Sequence, residues 1–179
     1  AALLLDYTPA WPGNFMVAVN ISPSQVRDQW FPEKVLRTLR ETGFPAQRLE
    51  IEVTESAMIG DIQRAKMSLM SLKNQGVKIA LDDFGSGLGS FTTLRDLSID
   101  YLKIDGTYTR DLRPETLNHQ VVTAVTAVSR ILGFRVIAEQ VETQADFETL
   151  RSIGVDFIQG NFIDRPHRLG EPATALSVV

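Results

Sequence analysis

The sequence contains no cysteine. That excludes disulfides, thiol nucleophiles and zinc–thiolate centres, and it suits a reducing compartment. It contains only 2 histidines. His119 falls in a helical pattern and His167 in the tail, neither with a partner acid at catalytic spacing, so both read as surface residues. No run of about 18 apolar residues exists, so no segment reads as spanning a bilayer. Ala1 to Leu5 is too short for a signal peptide and lacks a basic start. Low-complexity stretches and strong repeats are also absent. Positive charge is in short supply: 18 Lys and Arg stand against 22 Asp and Glu, a formal charge of −4. A mildly acidic chain is a poor ligand for a nucleic-acid polymer, though a metal can still hold a small phosphate compound on it.

What is present is globular composition. The 179 residues are 44% hydrophobic and 22% charged, enough for one domain with a real core. Six β-rich segments recur: Met16–Ile21, Leu49–Thr54, Val77–Asp82, Tyr101–Asp105, Arg135–Glu139 and Asp156–Gln159. Helical patterns lie between most of them. Pro32 opens one, with Val35, Leu36 and Leu39 on a face and Gly43 as its stop. A second carries Ile62, Ala65, Leu69 and Leu72 and ends at Gly76. A short one covers roughly Ser90 to Leu97. A fourth carries Val121, Val125, Val128 and Leu132 up to Gly133, and a fifth runs from Thr143 to Gly154 around Phe147, Leu150 and Ile153.

Strand–helix alternation predicts a parallel α/β sheet. A closed TIM-like (β/α)8 barrel takes about 250 residues and eight strands. Six units fit an incomplete barrel or an open doubly wound sheet. The doubly wound fold places a Gly-rich loop after an early strand. Here the Gly-rich run Gly85–Gly89 follows the third strand and two aspartates, so the incomplete barrel, with two N-terminal strands missing, is the expectation.

Side chains alternate along a strand. One face of the six segments is almost wholly apolar. The other gathers Asn20, Glu52, Asp82, Lys103, Glu139 and Gln159, each at or near the C-terminal end of its strand. That end is where a parallel barrel carries its active site. Asp83 extends the set into the next loop. Acids crowded on an inward face repel and are costly to desolvate. A divalent cation relieves both costs. Carboxylates with an amide carbonyl suit Mg²⁺ or Mn²⁺ rather than zinc, and adjacent Asp82 and Asp83 suit two ions.

With those residues in place, the chain resembles the EAL domain, the bacterial cyclic di-GMP phosphodiesterase module. The matching stretches are VNIS (Asn20), LEIEVTES (Glu52, Glu55), IALDDFGSGLGS (Asp82, Asp83), YLKID (Lys103), IAEQVET (Glu139, Glu142) and DFIQGNFIDRP (Gln159). They cover Val17 to Pro166 in the family's order. The resemblance implies that Asn20, Glu52, Asp82 and Asp83 are metal ligands. It implies that Lys103 orients the attacking water or offsets phosphate charge. Glu139 would be a second-metal ligand or general base, and Gln159 would position the water. Glu55 would support the loop Phe84–Gly87. Glu142, with Ser86 and Gly87, would serve the substrate end of the pocket.

The implied reaction is hydrolysis of cyclic di-GMP to linear 5′-pGpG, with two Mg²⁺ or Mn²⁺ ions activating the water. A cytoplasmic homodimer within a larger multidomain signalling protein, itself free to be membrane-tethered, is the implied setting. The namesake Glu-Ala-Leu motif is missing, so residues 1–179 read as a single, N-terminally truncated EAL-type domain that is expected to be a poor catalyst as it stands. Gln140 stands where the family has Gly, and Leu88-Gly89 where it has Tyr-Ser. The alternative function is a cyclic di-GMP receptor or protein-interaction module. An enolase-type lyase is a third reading, disfavoured by the Asp-Asp pair and Gly-rich loop.

Other residues have plainer readings. Trp11 and Trp30 are expected to pack, and the methionines to fill cores. Glu50 reads as an interior ion-pair member and Asp105 as a candidate partner of Lys103. Arg110, Arg113 and Arg151 read as solvated surface.

Overall fold

The computed structural model describes residues 15–58, 62–85, 94–95 and 97–166. Its strands are β1 (Val17–Ile21), β2 (Leu49–Thr54), β3 (Lys78–Phe84), β4 (Tyr101–Ile104), β5 (Arg135–Ala138) and β6 (Phe157–Ile158). Its main helices are α1 (Pro23–Arg27), α2 (Phe31–Thr42), α3 (Ile62–Lys73), α4 (Leu117–Leu132) and α5 (Gln144–Ile153). The strands form one sheet in the order β1-β2-β3-β4-β5-β6. The pairs β1/β2, β4/β5 and β5/β6 are parallel. Each expected strand is present within two residues at either end. The short α1 was not anticipated; it forms because Ser22 and Gln25 make a reciprocal capping box. Of the helix expected near Ser90–Leu97, Leu94 and Arg95 are helical, and most of the rest lies outside the described residues.

The described residues fall into two compact units. One runs through Leu81 and takes in the described residues up to Asp100; the other holds Asp82–Gly85 and everything from Tyr101 onward. In the first, β2 is buried along nearly its whole length, with Ile51 and Val53 in the core and Glu50 and Glu52 on the opposite parity, also buried. In the second, Leu102, Ile104, Val136 and Ala138 are fully buried. Each Val, Leu or Ile side chain taken from water there contributes about 1.5–3 kcal/mol.

Caps fix the helix ends. Thr116 and Thr143 accept from backbone N–H groups of α4 and α5 through their side chains. The stops read from Gly43, Gly133 and Gly154 hold, since each is a left-handed C-cap. A parallel device starts two strands. Asp100, just before β4, accepts from Ile79 N–H of β3 at 3.1 Å. Asp156, just before β6, accepts from Val136 N–H of β5 at 2.8 Å. Each aspartate thereby pins a neighbouring strand at its entry.

Several packing expectations are corrected. The buried face of α4 is Val122, Val125, Thr126 and Ser129, not Val121, Val125, Val128 and Leu132. Ser129 donates to the Thr126 carbonyl at 2.8 Å, so its hydroxyl can enter the core satisfied. In α5 only Leu150 is buried, and Phe147 and Ile153 are half-buried. Trp30 does not pack inward: it is 57% exposed at the N-cap of α2. Met67 and Met70 lie exposed on α3 rather than in the core. Trp11 and His167 lie outside the described residues.

Candidate active site

The polar strand ends appear where the alternation places them. In the first unit, Asn20 of β1 is the register partner of Glu52 of β2. Asn20 is exposed and Glu52 buried. Glu55 opens the short 3-10 turn Glu55–Met58 that follows β2. It is buried, and its Oε2 has no hydrogen-bond partner among the described residues. Burial pushes its carboxyl above the ordinary value.

In the second unit, three consecutive strands deliver charge to one place. Asp82 sits in β3, Lys103 in β4, and Glu139 directly after β5. Lys103 is 5% exposed. Its Nζ lies 3.1 Å from Asp82 Oδ1 and 2.9 Å from Glu139 Oε1. Asp83 N–H donates to Asp82 Oδ1 at 3.0 Å. Asp83 has φ +55°, a left-handed turn that aspartate tolerates better than most residues. Burial first, then the charges of Asp82 and Asp105, raises its carboxyl pKa; Lys103 acts the other way.

Asp82, Asp83 and Glu139 each offer a carboxylate oxygen within 4.8 Å of the others. The donor set fits a hard divalent cation: oxygens only, close enough to share an ion, with like charges that a cation relieves. Asp105 caps its own turn, accepting from Thr107 N–H at 2.9 Å; the Thr107 hydroxyl first, and this N–H second, hold its carboxyl below the usual range.

The other expected residues lie beside this cluster. Gln159 donates its N–H to the Ala138 carbonyl at 2.8 Å, and its own carbonyl accepts from Val141 N–H at 3.1 Å. Glu142 and Gln159 are exposed. With Glu139, Gln140, Asn161 and Arg165 they line a cavity of about 430 Å³. Ser86 and Gly87 lie outside the described residues.

Sequence reading gave no role to Asn161 and Arg165, although both fall in the DFIQGNFIDRP stretch. It also took Arg110 for solvated surface. Arg110 is half-exposed, but it donates to Gln140 Oε1 at 3.1 Å and approaches Glu142 Oε1 at 3.7 Å.

Fold and site together define an α/β domain with an acidic, lysine-bridged centre at its strand ends. A family model, the EAL domain, matches residues 3–166, and the chain belongs to that family. It is 36% identical over 152 residues to the cyclic di-GMP phosphodiesterase PdeF of Escherichia coli K12, covering 85% of this chain and 20% of PdeF. The solved EAL domain of Mycobacterium smegmatis DcpA aligns with a TM-score of 0.85 at 32% identity, covering 91% of this chain and 73% of that one. Klebsiella pneumoniae BlrP1, solved as a manganese and cyclic di-GMP complex, aligns with a TM-score of 0.82 at 29% identity, over 92% of this chain and 42% of that one. These likenesses show the fold: a TIM-like (β/α)8 domain, incomplete here, of which six strands and their helices are described. The chain spans about a fifth of the length of the curated relatives it matches.

Proposed function

We propose that this chain is a metal-dependent cyclic di-GMP phosphodiesterase domain that hydrolyses its substrate to linear 5′-pGpG. The observation that carries this reading is the carboxylate trio Asp82, Asp83 and Glu139 gathered within 4.8 Å, with Lys103 bonded to two of its members. Names support it too, since PdeF is a cyclic di-GMP phosphodiesterase and BlrP1 holds manganese with cyclic di-GMP.

When bound, a pair of Mg²⁺ or Mn²⁺ ions supplies Lewis-acid activation of a water and screens phosphodiester charge. Asp82, Asp83 and Glu139 hold cations in this reading, with Glu139 alternatively serving as the base. Asn20 and Glu52 keep the ligand roles that the family resemblance implies. Lys103, held by its two carboxylates, presents positive charge to the scissile phosphate or orients the attacking water. Gln159 positions that water. Glu142 meets the substrate from the wall of the cavity, with Ser86 and Gly87 assigned to the same end. Glu55 supports the loop that follows Asp83. The chain then works as one part of a larger cytoplasmic signalling protein, paired as a homodimer.

Incubation with cyclic di-GMP and Mn²⁺, with products resolved by chromatography, tests this. Linear dinucleotide is expected, and Asp82→Asn should lower its rate by about 10²–10³-fold. Retained, uncleaved ligand would instead make the domain a receptor. Wild-type rates in Asp82→Asn would remove the ligand assignment.

A further inference from the structure

We propose that Gln140 is a positioning residue: with Arg110 it forms a strut that holds the loop bearing Glu139 and Glu142 against the turn after β4. Gln140 has φ +54°, a conformation that disfavours any residue with a Cβ. Glycine, which the family places here, would occupy it without strain. A side chain kept at such a position needs a use, and the contacts supply one.

Gln140 Oε1 accepts from Arg110 Nη2 at 3.1 Å. The same Nη2 lies 3.7 Å from Glu142 Oε1, so one guanidinium engages the side chains at 140 and 142. The Gln140 side chain also covers Gly106 so closely that a Cβ added there would come within 2.4 Å of Oε1. A second tie runs through Thr109. Its side chain is fully buried, and its hydroxyl donates to the Glu139 carbonyl at 2.5 Å. The segment 106–110 follows β4, the strand of Lys103; residues 139–142 follow β5. Fastening one to the other sets the spacing of the Lys103–Glu139 contact, 2.9 Å, and shapes the cavity that Gln140 and Glu142 line. Small displacements of such groups are costly to turnover.

The turnover arm of the test rests on the phosphodiesterase reading; the exchange arm does not. Gln140→Gly, Arg110→Ala and the double variant are made in the full protein. With cyclic di-GMP and Mn²⁺, Gln140→Gly is expected to lower kcat about tenfold while KM stays within about twofold. Arg110→Ala should match it, and the double variant should be no worse than either single, as for two parts of one strut. Without substrate, amide hydrogen exchange at Gly106–Arg110 should quicken about tenfold in Gln140→Gly.

If the wild type cleaves nothing but exchange quickens in both single variants, the phosphodiesterase reading falls and the strut stands. Unchanged exchange sinks the strut whatever the activity. Wild-type kcat in an active Gln140→Gly enzyme, or losses that multiply in the double variant, overturns the positioning role.

Discussion

Glu55 and Asp82 are carboxylates buried to nearly the same degree, 9% and 8% exposed. Asp82 lies toward the C-terminal end of β3 and Glu55 just past the end of β2, yet their surroundings are opposite. Asp82 receives Lys103 Nζ at 3.1 Å and Asp83 N–H at 3.0 Å. Glu55 Oε2 has no hydrogen-bond partner among the described residues, and burial pulls its carboxyl toward the neutral form. Burial alone therefore does not assemble a candidate cation site. What separates the two is charge assembled from neighbouring strands: Asp82 belongs to a network, while Glu55 Oε2 has no such partner among the described residues.

The largest effect that can break this contrast comes from Lys103→Ala. Truncating one partner of a buried ion pair leaves uncompensated charge and costs about 3–5 kcal/mol. Urea unfolding in EDTA should show a loss of that order, and added Mn²⁺ should restore part of it by replacing the lost positive charge. A loss that Mn²⁺ leaves untouched would mean that the cluster is an ordinary ion pair rather than a cation site.

Gly160→Ala is the next in size. A Cβ there would lie 2.2 Å from the backbone N and O of Val141, and a backbone cannot swing aside as a side chain can. Val141 also accepts from Phe162 N–H at 3.0 Å. Overpacking at this point should cost about 2 kcal/mol in a urea titration, with a fall in turnover as the Glu139–Glu142 loop shifts. Full stability in Gly160→Ala would show that the loop yields easily and that the cluster tolerates movement.

Much of this was legible before any coordinates. Asn20, Glu52, Asp82 and Lys103 share strand parity because alternation leaves them no other face. The glycine stops and the helix start at Thr143 were readable because helix ends are set by local chemistry. The misses have a common cause: they depend on contacts between segments distant in sequence. The buried face of α4 is Val122, Val125, Thr126 and Ser129, a choice made by what the helix packs against rather than by its apolar spacing alone. Met67, Met70 and Trp30 are apolar by type but exposed by position. Arg110 gives no signal until a turn brings it 3.1 Å from Gln140, 30 residues away. Gln140 itself was visible as a departure from the family's glycine, but its positive φ was not.

The smallest effect is the sharpest test of the contrast, because it isolates Glu55. Its carboxyl pKa is raised above the ordinary 4.5 by desolvation. The unfolded chain then releases this proton at lower pH than the folded one. Between the two pKa values the folded state binds more protons, so stability falls as pH rises through that window and stays lowered above it. Glu55→Gln cannot ionise and loses that segment of the slope. Urea unfolding of both proteins in steps upward from pH 4.5 should show the difference growing in favour of Glu55→Gln, then levelling. Parallel curves would mean that Glu55 keeps its ordinary pKa in solution. A difference growing the other way would mean that its charged form is held by a cation, and Glu55 would then belong with Asp82 as a member of a charge network.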